Sequence, residues 1–151
     1  MVVAVGKPRD RHLAAAIEEY ETRAARYWPL EVVEVREQSG RGVAGDVARE
    51  RESALLVDRV PSSAKLVVCD ELGDRMTSGA FATFMSDARD RARDLAFVVG
   101  GAFGLAPSVR ERASKTIQLA PWTLPHELAR LVLAEQLYRA GTITRGEPYH
   151  K

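Results

Sequence analysis

Apolar positions along the chain fall into two alternating patterns. Residues 2–6 (VVAVG) form a short apolar run that stops at a glycine, as a buried strand does. Leu13, Ala16, Ile17, Tyr20, Ala24 and Tyr27 then recur at three- and four-residue spacing, which places them on one face of a helix. Residues 30–36 (LEVVEVR) read as a second strand and 38–45 as a Gly-rich loop. Residues 46–60 read as a helix that Pro61 stops. The rest repeats the alternation, with a strand over 66–70, a charged helix over 78–93 and a wholly apolar strand over 95–99. A short helix from about Pro107, a strand over 116–119 and a last helix from Pro125 to about residue 143 complete it, proline being welcome in a first turn. Such alternation predicts a parallel sheet covered by helices on both faces. No repeat, low-complexity tract or linker interrupts residues 1–151, so one α/β domain is expected.

Composition narrows the class. With 151 residues, 46% hydrophobic and 28% charged, the chain can bury a substantial core and has an ordinary globular make-up. No apolar run approaches the roughly 18 residues of a membrane span, and the opening MVVAVGKPRD turns polar too soon for a secretory signal. The single cysteine, Cys69, excludes an internal disulfide and fits a reducing compartment, so a cytosolic location is expected, with no membrane or metal partner. A net charge of +1 is neutral on nucleic acid: any RNA surface must come from local clustering.

In open parallel sheets ligands bind beyond the carboxyl ends of the strands. Three Gly- or Pro-punctuated loops leave such ends, at 70–77, 100–107 and 120–125. The run Gly100-Gly101-Ala102-Phe103-Gly104 has neither the spacing of a dinucleotide fingerprint nor the Lys-Ser/Thr of a phosphate loop, so a tight turn and a ligand loop stand level. In the last helix Leu128, Leu131, Val132, Leu133, Ala134, Leu137 and Ala140 cover more than one face, which favours burial across a subunit interface. His126 and Arg130 share a face of it, and Glu135 with Arg139 reads as an ordinary intrahelical ion pair. The tail carries Arg145, Tyr149, His150 and Lys151. Aromatics beside cations suit stacking on an exposed base with its phosphates neutralised, although disorder is the commoner fate of a terminus.

FVVGGAFGL (97–105), TLPHELARLVLAEQLYRA (123–140) and ITRGEPYHK (143–151), with the opening VVAVGK and EEYETR (18–23), closely resemble the RlmH family of SPOUT-superfamily ribosomal RNA methyltransferases. The resemblance spans essentially the whole chain and is strongest from Leu95 onward. It implies an α/β trefoil knot, a homodimer, S-adenosylmethionine as methyl donor, and N3 of a pseudouridine in 23S ribosomal RNA of the assembled ribosome as target. By position it places donor contacts at Cys69, Gly100, Leu119, Ala120, Pro121, Trp122, Thr123 and Leu124. Cys69 stands where relatives carry a leucine-like residue, and Pro121-Trp122 is individual to this chain.

Within that resemblance His126, Tyr149, His150 or a positioned water are the candidates to take the N3 proton, because an arginine cannot be deprotonated. Arg130 is expected to act electrostatically, on a phosphate or on charge developing in the base. Tyr149 and His150 are expected to close over the target base, with Arg139, Arg145 and Lys151 toward RNA phosphates. The rival readings are a SPOUT enzyme for another RNA and a non-catalytic RNA- or ribosome-binding dimer.

Overall fold

A computed structural model describes residues 1–151. Its elements are β1 (Val2–Val5), α1 (Arg11–Ala24), β2 (Val32–Val35), α2 (Gly45–Asp58), β3 (Lys65–Arg75), α3 (Ser78–Asp90), β4 (Leu95–Val99), α4 (Pro107–Arg112), β5 (Lys115–Gln118) and α5 (His126–Thr144). The five strands form one sheet in the order β2-β1-β4-β3-β5, and every neighbouring pair is parallel. This is the α/β sheet flanked by helices that the strand–helix alternation predicts.

Successive side chains of a strand face opposite sides of the sheet, and both sides here are apolar. Val2, Ala4, Val67, Phe97, Val99 and Ile117 lie on one side, buried with Trp28, Phe81, Met85, Leu133 and Leu137 beneath α1, α3 and α5. Val3, Val5, Val35, Leu66, Val68 and Val98 lie on the other, against Leu56 of α2 and Val109 of α4. Local signals set the helix ends. Asp10 accepts hydrogen bonds from the His12 and Leu13 amides at the start of α1. α3 stops at Asp90, short of the expected residue 93, because Ala92 takes a left-handed conformation (φ 49°). That turn lets the Arg93 amide close back on the Ala88 carbonyl at 2.8 Å.

One strand departs from expectation. β3 does not end at residue 70 but resumes and runs to Arg75, with Cys69 and Asp74 both opposite Ile117 of β5. Residues 70–73 therefore loop out of the ladder. Asp70 starts the excursion by accepting the Leu72 amide at 2.9 Å. Gly73 ends it, lying so close to β5 that a Cβ would stand 2.4 Å from the Ile117 carbonyl carbon.

α5 packs across α1 and α3, and the Trp28 indole donates to the Leu137 carbonyl at 2.8 Å. Arg130, expected to act electrostatically on a phosphate or on the base, is held within the fold. Its side chain is only 8% exposed, and its guanidinium is committed to two carboxylates, Glu21 at 2.8 and 3.2 Å and Glu34 at 2.7 Å. It joins α5 to α1 and β2.

Two outcomes follow from this packing. Arg130→Leu leaves Glu21 and Glu34 facing one another without their counter-charge. It is expected to lower the unfolding free energy by about 3 kcal/mol, the low end for a broken buried pair, because Glu34 keeps 26% exposure. Adding Glu21→Gln and Glu34→Gln should recover part of the loss, read from urea midpoints. In Gly141→Ala the new Cβ would stand 2.3 Å from Tyr27 Cγ, near the root of that ring. Overpacking of this kind is expected to destabilise by about 1–3 kcal/mol, partly offset by alanine's helix propensity. An unchanged urea midpoint would show that Tyr27 can move aside freely.

Candidate functional site

The carboxyl ends of β3, β4 and β5 open into a cleft of about 790 Å³ where the loops 70–73, 100–106 and 119–125 meet. Cys69, Gly100, Leu119, Ala120, Trp122, Thr123, Leu124 and His126 all line it. Of the positions expected to hold the methyl donor, only Pro121 does not contribute to the wall. Trp122 is 70% exposed and Phe103 46%, so the rim presents aromatic surface to solvent.

Gly100 ends β4 facing its own loop. A Cβ there would stand 2.9 Å from the Gly104 carbonyl and from Leu105 Cγ, so the loop folds back tightly only around a glycine. A Gly101–Gly104 bridge closes that turn. The other two loops are stitched together: Thr123 Oγ1 donates to Glu71 Oε2 at 2.5 Å, and Gln118 Nε2 donates to the Glu71 carbonyl at 2.6 Å. Arg110 of α4 reaches Asp70 at 3.1 Å. Loss of hydration pushes the Cys69 thiol up to about 12, with Asp70 adding to the effect, so it stays a neutral wall and not a nucleophile. Beside His126, the Ser39 hydroxyl and then Arg9 and His126 hold Glu37 below the usual carboxylate range.

The cleft wall extends beyond the positions expected to hold the donor. Arg49, Asp70, Glu71, Phe103 and Arg110 also line the cleft. Behind it, α2 holds the 100–106 loop from below. The Ser53 hydroxyl accepts the Ala106 amide at 2.9 Å. Glu52, 1% exposed, accepts the Gln38 amide with one oxygen, while the other, unpartnered, stands 2.3 Å from where a Gly101 Cβ would lie. The charged pattern of α2 offers no sign of this; only the sheet order brings it under β4's loop. Phe103 was legible within GGAFG.

The remaining candidates lie at the other end of α5. From His126 to Arg139 the helix rises about 20 Å, and the tail folds against that far end. The Tyr149 ring packs at a tilt against Tyr138, centroids 4.6 Å apart, while its hydroxyl donates to Glu135 at 3.0 Å and the Arg139 guanidinium lies 4.6 Å over the ring. Arg139 also holds Glu135, as expected for an ordinary intrahelical pair, and its Nη1 is 3.4 Å from His150 Nδ1. Arg145 covers the Tyr27 ring at 4.5 Å and donates to the Arg26 carbonyl, while Lys151 is exposed. Burial, then hydrogen bonds with Tyr20 and Glu135, raise the Tyr149 phenol above its ordinary value. One chain therefore gathers His126 with the cleft but keeps Tyr149 and His150 away from it. No group of three or more His, Cys, Asp or Glu side chains is placed to hold a metal, and no helix is long and apolar enough to cross a membrane.

Known proteins resemble this chain in fold or in sequence. A solved structure described as that of a hypothetical protein is similar in fold alone, with a TM-score of 0.50 at 19% identity over 95% of this chain and 80% of its own. A ribosomal RNA large subunit methyltransferase H of Gemmatimonas aurantiaca is 58% identical over 150 residues, covering 99% of this chain and 97% of that protein. A protein of the same name from Geobacter metallireducens is 44% identical over 150 residues, covering 99% and 96%. The model of a family described as "Predicted SPOUT methyltransferase" matches residues 1–150. A match running the whole length of the sheet and its cleft, at identities well beyond likeness of fold, decides the relationship: this chain belongs to the SPOUT methyltransferase family.

Proposed function

We propose that the chain transfers a methyl group from S-adenosylmethionine to N3 of a pseudouridine in 23S ribosomal RNA of the assembled ribosome, working as a cytosolic homodimer. The observation that carries this reading is full-length similarity to ribosomal RNA large subunit methyltransferases H, joined to a cleft at the family-matched positions. The family's trefoil knot, with the last segment threaded through a loop, belongs to the same reading.

The residues suit the donor. Gly100 lets the 100–104 loop fold back tightly to form one wall, and the 119–124 loop supplies amides and carbonyls able to read an adenine edge. Arg49 and Arg110 beside Asp70 and Glu71 offer both signs of charge to a zwitterionic amino-acid end. When bound, the donor's sulfonium supplies an activated methyl and its own leaving group.

The protein's part is to align the acceptor nitrogen and remove its proton. His126 is the titratable ring on the cleft wall and our first candidate for base. Tyr149, its phenol raised, serves as a hydrogen-bond donor and not as a base. Because Tyr149 and His150 lie beyond the far end of α5, they reach a cleft only as the tail of a second copy. The partly uncovered Leu128, Leu131 and Val132 of α5 offer that copy an apolar seat. Arg139, Arg145 and Lys151 then face the RNA from the same tail.

Mass spectrometry of ribosomal RNA, after incubating the protein with ribosomes and donor, is expected to show one added methyl on a pseudouridine. A methyl appearing on transfer RNA instead would redirect the assignment. In Gly100→Ala the loop must shift to admit the Cβ, and calorimetry should show donor affinity reduced by tenfold or more, about 1.4 kcal/mol. Removing Tyr149 to Lys151 is expected to abolish methylation while leaving the heat of donor binding nearly unchanged; normal turnover by that truncation would refute the role given to the tail.

A further inference from the structure

A second concavity lies at the opposite end of the sheet from the cleft. It is a groove of about 380 Å³ where β3, β4 and β5 begin, beside the last turn of α3. Its floor is apolar and includes the half-buried ring of Phe84. Lys65, Arg91, Arg93 and Lys115 line it against a single acid, Asp87. In a chain of 22 basic and 21 acidic residues, four cations to one carboxylate is a local segregation of charge.

Those cations are largely free. Lys65, Arg91 and Arg93 are exposed and take part in no ion pair. Lys115 meets Asp74 at 2.8 Å, but that carboxylate is 71% exposed, and such a pair contributes little and exchanges readily for another anion. Helix ends offer a purely structural reason for basic residues, since carbonyls of the last turn attract cations. Arg89 already occupies the last turn of α3, so four more cations around the groove exceed what that end requires.

We propose that this groove binds a phosphodiester segment of ribosomal RNA, with the Phe84 floor under a ribose or an unstacked base. The inference rests on ribosomal RNA being the substrate and adds where that RNA is held. Cations over an aromatic floor match the chemistry of single-stranded or loop RNA, in which phosphate and π-face are presented together. A five-residue strand separates groove from cleft by about 16 Å. A large folded RNA reaches both at once, and the chain thereby gains hold on a ribosomal particle despite its net charge of +1.

The test pairs two double variants that change net charge equally. Arg91→Glu with Arg93→Glu reverses the groove; Arg51→Glu with Arg59→Glu reverses exposed arginines on and just after α2, outside it. Each is titrated with purified large ribosomal subunits and with fluorescein-labelled oligouridine across a salt series, and donor binding is measured by calorimetry. The groove pair is expected to bind both RNAs about tenfold more weakly, with the slope of log K against log salt reduced by about 1–2. The α2 pair should stay within about twofold of the parent, and donor binding should be unchanged in both. Equal losses in the two pairs, or undiminished RNA affinity in the groove pair, overturn the proposal. So does a loss confined to subunits with oligouridine binding intact, which would make the occupant a ribosomal protein. Methylation of ribosomes by the parent chain reports separately on the function: its absence, with groove-dependent oligouridine binding, would remove the substrate assignment and leave the groove standing.

Discussion

The cleft exists because β3, β4 and β5 run parallel and release their chains at the same end of the sheet. Apolar side chains on both faces fix the strands between two helical layers, so the loops alone are left to build a surface. The close approach of Gly73 to Ile117 then sets how far those loops diverge. It carries β3 past its expected end and pins residues 70–73 over the start of the 119–125 loop, where Glu71 takes hydrogen bonds from Gln118 and Thr123. A bulkier residue at 73 would part β3 from β5 and open the cleft from its floor.

α5 works as a strut with different chemistry at its two ends. At its start His126 faces the cleft; at its finish the tail is held by tyrosine rings and by Glu135. Between them Arg130 joins three elements through two carboxylates. A buried guanidinium of this kind gives geometric definition more surely than net stability, because the desolvation of the charges offsets much of their attraction. What it fixes is the line of α5, and with it the separation between the histidine of one cleft and the tail that we assign to another.

Charge is distributed on the same principle. A chain of nearly balanced sign cannot hold RNA by its overall field, so recognition falls to places where cations lack partners. Around the cleft, Arg110 is tied to Asp70 and Arg9 to Glu37, which keeps those side chains in position. Where β3, β4 and β5 begin, three unpaired cations and Lys115 surround a groove with one acid, so the cleft end is mixed in charge and the opposite end basic.

Much of this was legible along the chain. Apolar periodicity determined the number and order of strands and helices, because alternating burial leaves its period in the residues themselves. Local order and spacing in GGAFG, TLPH and YHK carried the family, and the first two motifs mark two of the loops that wall the cleft. Three things lay beyond that reading, each for a physical reason. Arg130 looked like a free cation on a helix, and only the packing of α1 and β2 supplies its two carboxylates. Glu52, Ser53 and Arg49 looked like any charged helix surface, until the strand order set α2 beneath the loop after β4. Tyr149 and His150 look close to the rest of the motif in sequence, yet a straight helix carries them away from His126. Periodicity reports which faces are buried; which residues then meet is decided by the sheet that brings distant segments together.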